Sequence, residues 1–137
     1  MRTLPLGNTG VDVSALCLGV LNFGSRDDEG TSYQLLDQYI EAGGSFLDTA
    51  NIYSHWIEGC RGGESEELLG RWMRERGNRR DLFIASKVGF EYPGVERGLR
   101  AAQIEAECEK SLRRMGIETI DLYYAHVDDR TTPLEET

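Results

Sequence analysis

Hydrophobic and polar positions change period several times along this chain. Three short runs, S-F-L-D-T-A, D-L-F-I-A-S-K-V-G and I-D-L-Y-Y-A-H-V, are rich in aliphatic, aromatic and β-branched residues. Runs of this length and composition predict strands over about Ser45–Thr49, Asp81–Lys87 and Ile120–Ala125. C-L-G-V, residues 17–20, predicts a further short buried strand. Residues 1–15 alternate around N-T-G, which predicts a β-hairpin with a short Asn/Gly loop.

Between the strands the apolar residues recur at helical spacing. A first helix is expected over about Gly30 to Ala42, with Leu35, Leu36, Tyr39 and Ile40 facing inward, and Gly43 and Gly44 stop it. A second, about Glu64 to Arg76, buries Leu68, Leu69, Trp72 and Met73. Glu64, Glu66 and Glu67 in its first turn and Arg74 and Arg76 in its last complement the helix dipole. A third, about Ala101 to Met115, has Ile104, Cys108, Leu112 and Met115 as its apolar stripe, and Gly116 ends it. A hairpin, then strand and helix three times, then a strand predicts an α/β protein with parallel strands. At the carboxyl end T-T-P-L-E-E-T reads as a capping box, with Thr132 as cap, Pro133 at the first helical position and Glu135 at the third.

The chain is expected to form a single domain over residues 1–137, with the fourth helix only begun. A (β/α)8 TIM barrel takes eight strands and typically ~250 residues. The chain is therefore expected to be the amino-terminal half of a longer protein: the hairpin, strands one to four and helices one to three of the barrel.

Composition narrows the function. Fifteen basic residues against 24 acidic ones give a net charge of −9, a field that repels phosphate backbones and argues against nucleic-acid binding. No run approaches the ~20 apolar residues of a membrane span, and the amino terminus shows no signal-peptide hydrophobic region. A cytoplasmic protein is expected. Cys17, Cys60 and Cys108 form no C-x-x-C pair, and His55 and His126 lack metal-ligand spacing, so free thiols and no metal are expected. Neither a G-x-G-x-x-G after the first strand nor a P-loop occurs.

The candidate chemistry sits at the predicted strand ends. Asp48, Tyr53, Lys87 and His126 each fall at or just past the carboxyl end of a strand. In a parallel α/β barrel those ends converge on one face, where the chemistry is done. Singly, each has an ordinary explanation: a turn Asp, a packing Tyr, a solvated Lys, a core His. Together they make a proton-donating site. A free phenol is a weak acid with a pKa of ~10, and a nearby ammonium favours its anion. Lys87 supplies that charge, Asp48 pairs with Lys87, and His126 donates a hydrogen bond to a substrate oxygen. The set suits reduction of a carbonyl, with Tyr53 delivering the proton. The aromatic, Gly-rich loop N-I-Y-S-H-W-I-E-G-C-R-G-G lies past a strand's carboxyl end, where loops carry function.

The motifs L-G-N-T-G-x-x-V-S-x-L-x-L-G, D-T-A-N-I-Y with G-G-E-S-E-E-L-L-G, I-A-S-K-V-G and S-L-R-R-M-G-I-E-T-I-D-L-Y-Y-A-H run through the chain in order. In this respect the chain resembles the aldo-keto reductases. The resemblance implies a TIM barrel and an oxidoreductase that reduces an aldehyde, ketone or sugar carbonyl with hydride from NADP(H), or NAD(H). It implies Asp48, Tyr53, Lys87 and His126 as the catalytic set, with Tyr53 as general acid. Gly19, Val20, Leu21 and Asp48 would border the nicotinamide, and Leu21, Trp56, His126 and Val127 the substrate. The family's grip on the nucleotide comes mainly from later strands and loops. An isolated four-stranded half leaves two unpaired sheet edges, so residues 1–137 alone are expected to be inactive. Two alternatives accompany this expectation: a regulatory protein like the potassium-channel β subunits, and an inactive half-barrel that self-associates.

Overall fold

The computed structural model describes all residues from Met1 to Thr137. Strands β1 (Thr3–Pro5) and β2 (Asp12–Ser14) form an antiparallel hairpin in which Thr3 faces Ser14 and Pro5 faces Asp12. A turn within Leu6–Val11 closes it, with Gly7 and Gly10 at positive φ.

A second sheet holds β3 (Cys17–Gly19), β4 (Phe46–Asp48), β5 (Phe83–Val88) and β6 (Leu122–Ala125), in that order and all parallel. Helices α1 (Glu29–Glu41), α2 (Glu64–Arg76) and α3 (Ala101–Met115) connect successive strands. The alternation expected of an α/β barrel segment is therefore present.

The ladder register sorts the side chains. Leu18 pairs with Leu47 and Leu47 with Ile84. This row meets Leu36 of α1, Leu68, Leu69, Trp72 and Met73 of α2, and Met115 of α3 in one core. Gly19, Asp48 and Ala85 align on the opposite side, together with Phe46, Phe83 and Lys87. That side carries no helix. Phe46 and Phe83 meet edge to face on it, ring centroids 5.0 Å apart.

Local sequence explains the helix ends. Asp28 caps α1 by accepting from Thr31 N–H at 2.8 Å, so the helix begins one residue earlier than the expected Gly30. Gly77 ends α2 in the left-handed conformation, φ 65°. Gly70 lets α2 approach α3: a Cβ there would lie 2.6 Å from the Met115 carbonyl oxygen.

Three expectations need correction. Leu35 is exposed, because it lies about 100° around α1 from the buried Leu36. The fully buried side of α3 is Glu107, Ser111 and Met115, not Ile104, Cys108 and Leu112, which are half-buried. Glu107 can be buried because three donors meet it. The capping box at the carboxyl end does not form. Thr132 Oγ1 instead donates to Asp129 Oδ2 at 2.7 Å, and residues 133–136 make a single turn. Donors from Thr131, Thr132 and Leu99 hold the Asp129 carboxyl well below the usual carboxylate range.

Candidate active site

The β4, β5 and β6 carboxyl ends bring Asp48, Lys87 and His126 to one edge of the helix-free side. Tyr53 reaches the same place from the loop after β4. Lys87 Nζ donates to Asp48 Oδ2 at 2.6 Å, to Thr49 O at 2.8 Å and to Tyr53 Oη at 2.6 Å. The ammonium's three protons are thereby all used. Its bond into Tyr53 Oη occupies a lone pair, which leaves the phenol O–H free to point elsewhere.

Tyr53 is buried among Ala50, Ile52, Phe90 and Tyr92. Its ring meets those of Trp56 and His126 edge on, at 6.3 and 6.0 Å. The next residue, Ser54, is fully buried with φ 79°, a left-handed conformation uncommon outside glycine. Ser54 Oγ donates to Ser25 Oγ at 2.8 Å, tying this loop to the one after β3.

His126 extends the β6 pairing through N–H to Val88 O at 2.8 Å, and its ring packs on Phe90 at 4.8 Å. Burial and the Lys87 charge push its pKa below the ordinary imidazole value, against a smaller opposing pull from Asp48. Its Nδ1 is buried with no partner.

The other sequence-predicted residues are distributed unevenly. Gly19 stands beside Asp48 in the ladder, and a Cβ on it would meet nothing within 4 Å, so space is open above it. Leu21 and Trp56 are exposed at the same end. Val20 is fully buried in the core, and its carbonyl accepts from Ser65 Oγ at 2.8 Å; its side chain faces the helices. Val127 packs over Gly89, where a Cβ would lie 2.7 Å from Val127 Cγ2. Cys17 lies exposed on the open side; partial desolvation by its neighbours and the Asp48 charge, against a smaller pull from Lys87, push its thiol up to about 11, so it stays protonated at neutral pH.

Sequence reasoning missed the polar support behind the site. Glu66 is fully buried; it accepts from Ser86 Oγ at 2.6 Å and Arg114 Nε at 2.7 Å. Asn51 Nδ2 donates to Glu107 Oε2 at 2.7 Å. The available signal was that Glu107 and Ser111 share a helical stripe with Met115.

The model of the aldo/keto reductase family matches residues 15–137. The uncharacterized oxidoreductase YrpG of Bacillus subtilis is 38% identical over 96% of this chain and 41% of that protein. Norsolorinic acid reductase A of Aspergillus parasiticus is 34% identical over 94% of this chain and 35% of that protein. The solved structure of the aldo-keto reductase AKR11C1 from Bacillus halodurans, in its holo form, superposes with a TM-score of 0.80 at 32% identity, over 99% of this chain and 43% of that one. The chain thus spans less than half the length of these relatives. Matched along nearly its whole length, it belongs to the aldo/keto reductase family.

Proposed function

We propose that the protein containing this chain reduces the carbonyl group of an aldehyde, ketone or sugar to an alcohol, with a reduced nicotinamide coenzyme, NADPH or NADH. The observation that carries this reading is the 2.6 Å contact of Lys87 Nζ with both Asp48 Oδ2 and Tyr53 Oη. A relative named a norsolorinic acid reductase supports reduction as the direction.

The open space above Gly19, the neighbouring Asp48 and the exposed Leu21 fit one side of a flat ring. When bound there, the coenzyme supplies hydride to the carbonyl carbon. Tyr53 gives its proton to the carbonyl oxygen. Lys87 then stabilises the phenolate through the bond it already makes to Oη, and Asp48 keeps the ammonium aimed. His126, neutral because its pKa is lowered, donates a hydrogen bond to the substrate oxygen and keeps its own proton. Trp56 and Leu21 border the substrate.

The test is Tyr53→Phe in the intact protein, assayed with NADPH and an aromatic aldehyde. A kcat loss of ~10²–10⁴ with coenzyme binding kept is expected, the range for a positioned general acid. Unchanged kcat removes Tyr53 from the chemistry.

A further inference from the structure

Tyr53 makes few bonds that fix where it stands. Its N–H reaches only Ala50 O, at 3.3 Å, and its carbonyl accepts from Gly63 N–H within the same loop. Apart from the Oη–Lys87 contact, no hydrogen bond joins Tyr53 to another strand or helix. Asn51, two residues earlier, is anchored on two sides. Its backbone N–H donates to the carbonyl of Lys87 at 3.3 Å, and its side-chain Nδ2 donates to Glu107 Oε2 on α3 at 2.7 Å.

We propose that Asn51, oriented by Glu107, is a positioning residue that sets Tyr53 against Lys87; its functional meaning rests on the reading of Tyr53 as the proton donor. Asn51 links to both partners of the contact, although Lys87 is also held by its ladder to β6 and by Asp48 and Thr49. One link is the two-residue span to Tyr53, and the other is the backbone bond to Lys87. Asn51 is fully buried and its Oδ1 has no partner. A residue present only to fill space would be apolar and leave no oxygen unpaired. The amide therefore contributes a directed bond.

Glu107 is built to receive that bond. It is buried, and besides Asn51 it accepts from Tyr92 Oη at 2.6 Å and Lys110 Nζ at 2.7 Å. Tyr92 lies in the loop after β5. One carboxylate on α3 thus gathers the loops that follow two neighbouring strands. Their registry at the carboxyl end is set from behind the sheet.

The test reads the Tyr53 hydroxyl directly in the intact protein that contains this chain, labelled with [ζ-13C]tyrosine. Tyr53→Phe assigns the resonance, and Lys87→Met gives its position without the ammonium. The isosteric variants Asn51→Asp and Glu107→Gln are each expected to displace the resonance toward the Lys87→Met position. Tyr33 and Tyr39, on α1, should stay put. The double variant Asn51→Asp/Glu107→Gln exchanges donor and acceptor and is expected to return Tyr53 to its native position. The proposal fails if both single variants leave Tyr53 unmoved, or if the double variant stays displaced or unfolded. If a single variant does not fold, the double variant alone decides. Tyr53→Phe that still reduces carbonyls would remove the acid role but leave these spectra as predicted, so the two failures are distinguishable.

Discussion

Two adjacent residues of β5 look in opposite directions and meet two different ion pairs. Ser86 faces the helices, where Glu66 accepts from it and from Arg114. Lys87 faces the open side and holds Asp48 and Tyr53. The Glu66 side chain is fully buried and that of Arg114 is 16% exposed, whereas Asp48 and Lys87 are 23% and 13% exposed. Behind the sheet each Glu66 oxygen has a protein donor, so the pair is closed and serves only to tie β5 to α2 and α3. In front, Asp48 accepts through one oxygen and Tyr53 keeps its own proton to give. The same chemistry of carboxylate and cation is architectural where water is excluded and partners are complete. It becomes available for reaction where one group is left able to change state.

Removing one partner of the rear pair should have the largest effect. Glu66→Ala leaves the half-buried Arg114 guanidinium without its carboxylate and the buried Ser86 hydroxyl without its acceptor, and a loss of about 3–5 kcal/mol is expected by urea unfolding followed by circular dichroism. A loss below about 1 kcal/mol would erase the distinction between the two pairs. Next comes the helix crossing that brings Arg114 to Glu66. Gly70→Ala sets a methyl group 2.6 Å from the Met115 carbonyl oxygen and 2.8 Å from that of Arg114. Backbone atoms cannot swing aside, so about 1–3 kcal/mol should be lost in the same assay.

The front pair should matter less to stability. Lys87→Met removes charge-assisted bonds but leaves Asp48 in reach of water, so unfolding should be easier by only about 1–2 kcal/mol. A loss matching that of Glu66→Ala would show that the open side is architectural too.

The smallest effect is a pH dependence. His126 titrates lower in the folded chain than the ~6.5 of a free imidazole. Between those two values the unfolded chain binds more protons, so acidification from pH 7.5 to 5.5 favours unfolding. Stability should fall modestly over that interval, and His126→Gln should flatten the slope. The low-titrating carboxylates Glu107 and Asp129 act only at more acidic pH. A slope that His126→Gln leaves unchanged would assign the dependence elsewhere.

Much of this arrangement was legible from residue order. The spacing of apolar residues placed α2 at Glu64–Arg76 and α3 at Ala101–Met115, the bounds observed. Strand ends were less legible. The third predicted strand, Asp81–Lys87, is displaced to Phe83–Val88 behind a 3-10 turn at Arg79–Asp81. A parallel ladder takes its register from its neighbours, and Asp121, which accepts from both Arg79 and Ile84 N–H, lies about 40 residues away in sequence. The four strand-end residues were legible because parallel topology sends strand ends to one edge. Asn51, Ser54, Glu66 and Glu107 were not, since a polar residue reads as exposed until its distant partner is known.

By itself the sequence determined the alternation of strands and helices, the limits of α2 and α3, and which ionisable groups lie at strand ends. Those follow from local periodicity, caps and the geometry of parallel sheets. Only the tertiary structure decided that Lys87 spends its three protons on Asp48, Thr49 and Tyr53, that Val20 turns into the core, and that two buried glutamates support the site from behind. Each depends on distances between residues far apart in the chain, where burial turns a polar side chain from a solvated surface group into one that must find a partner.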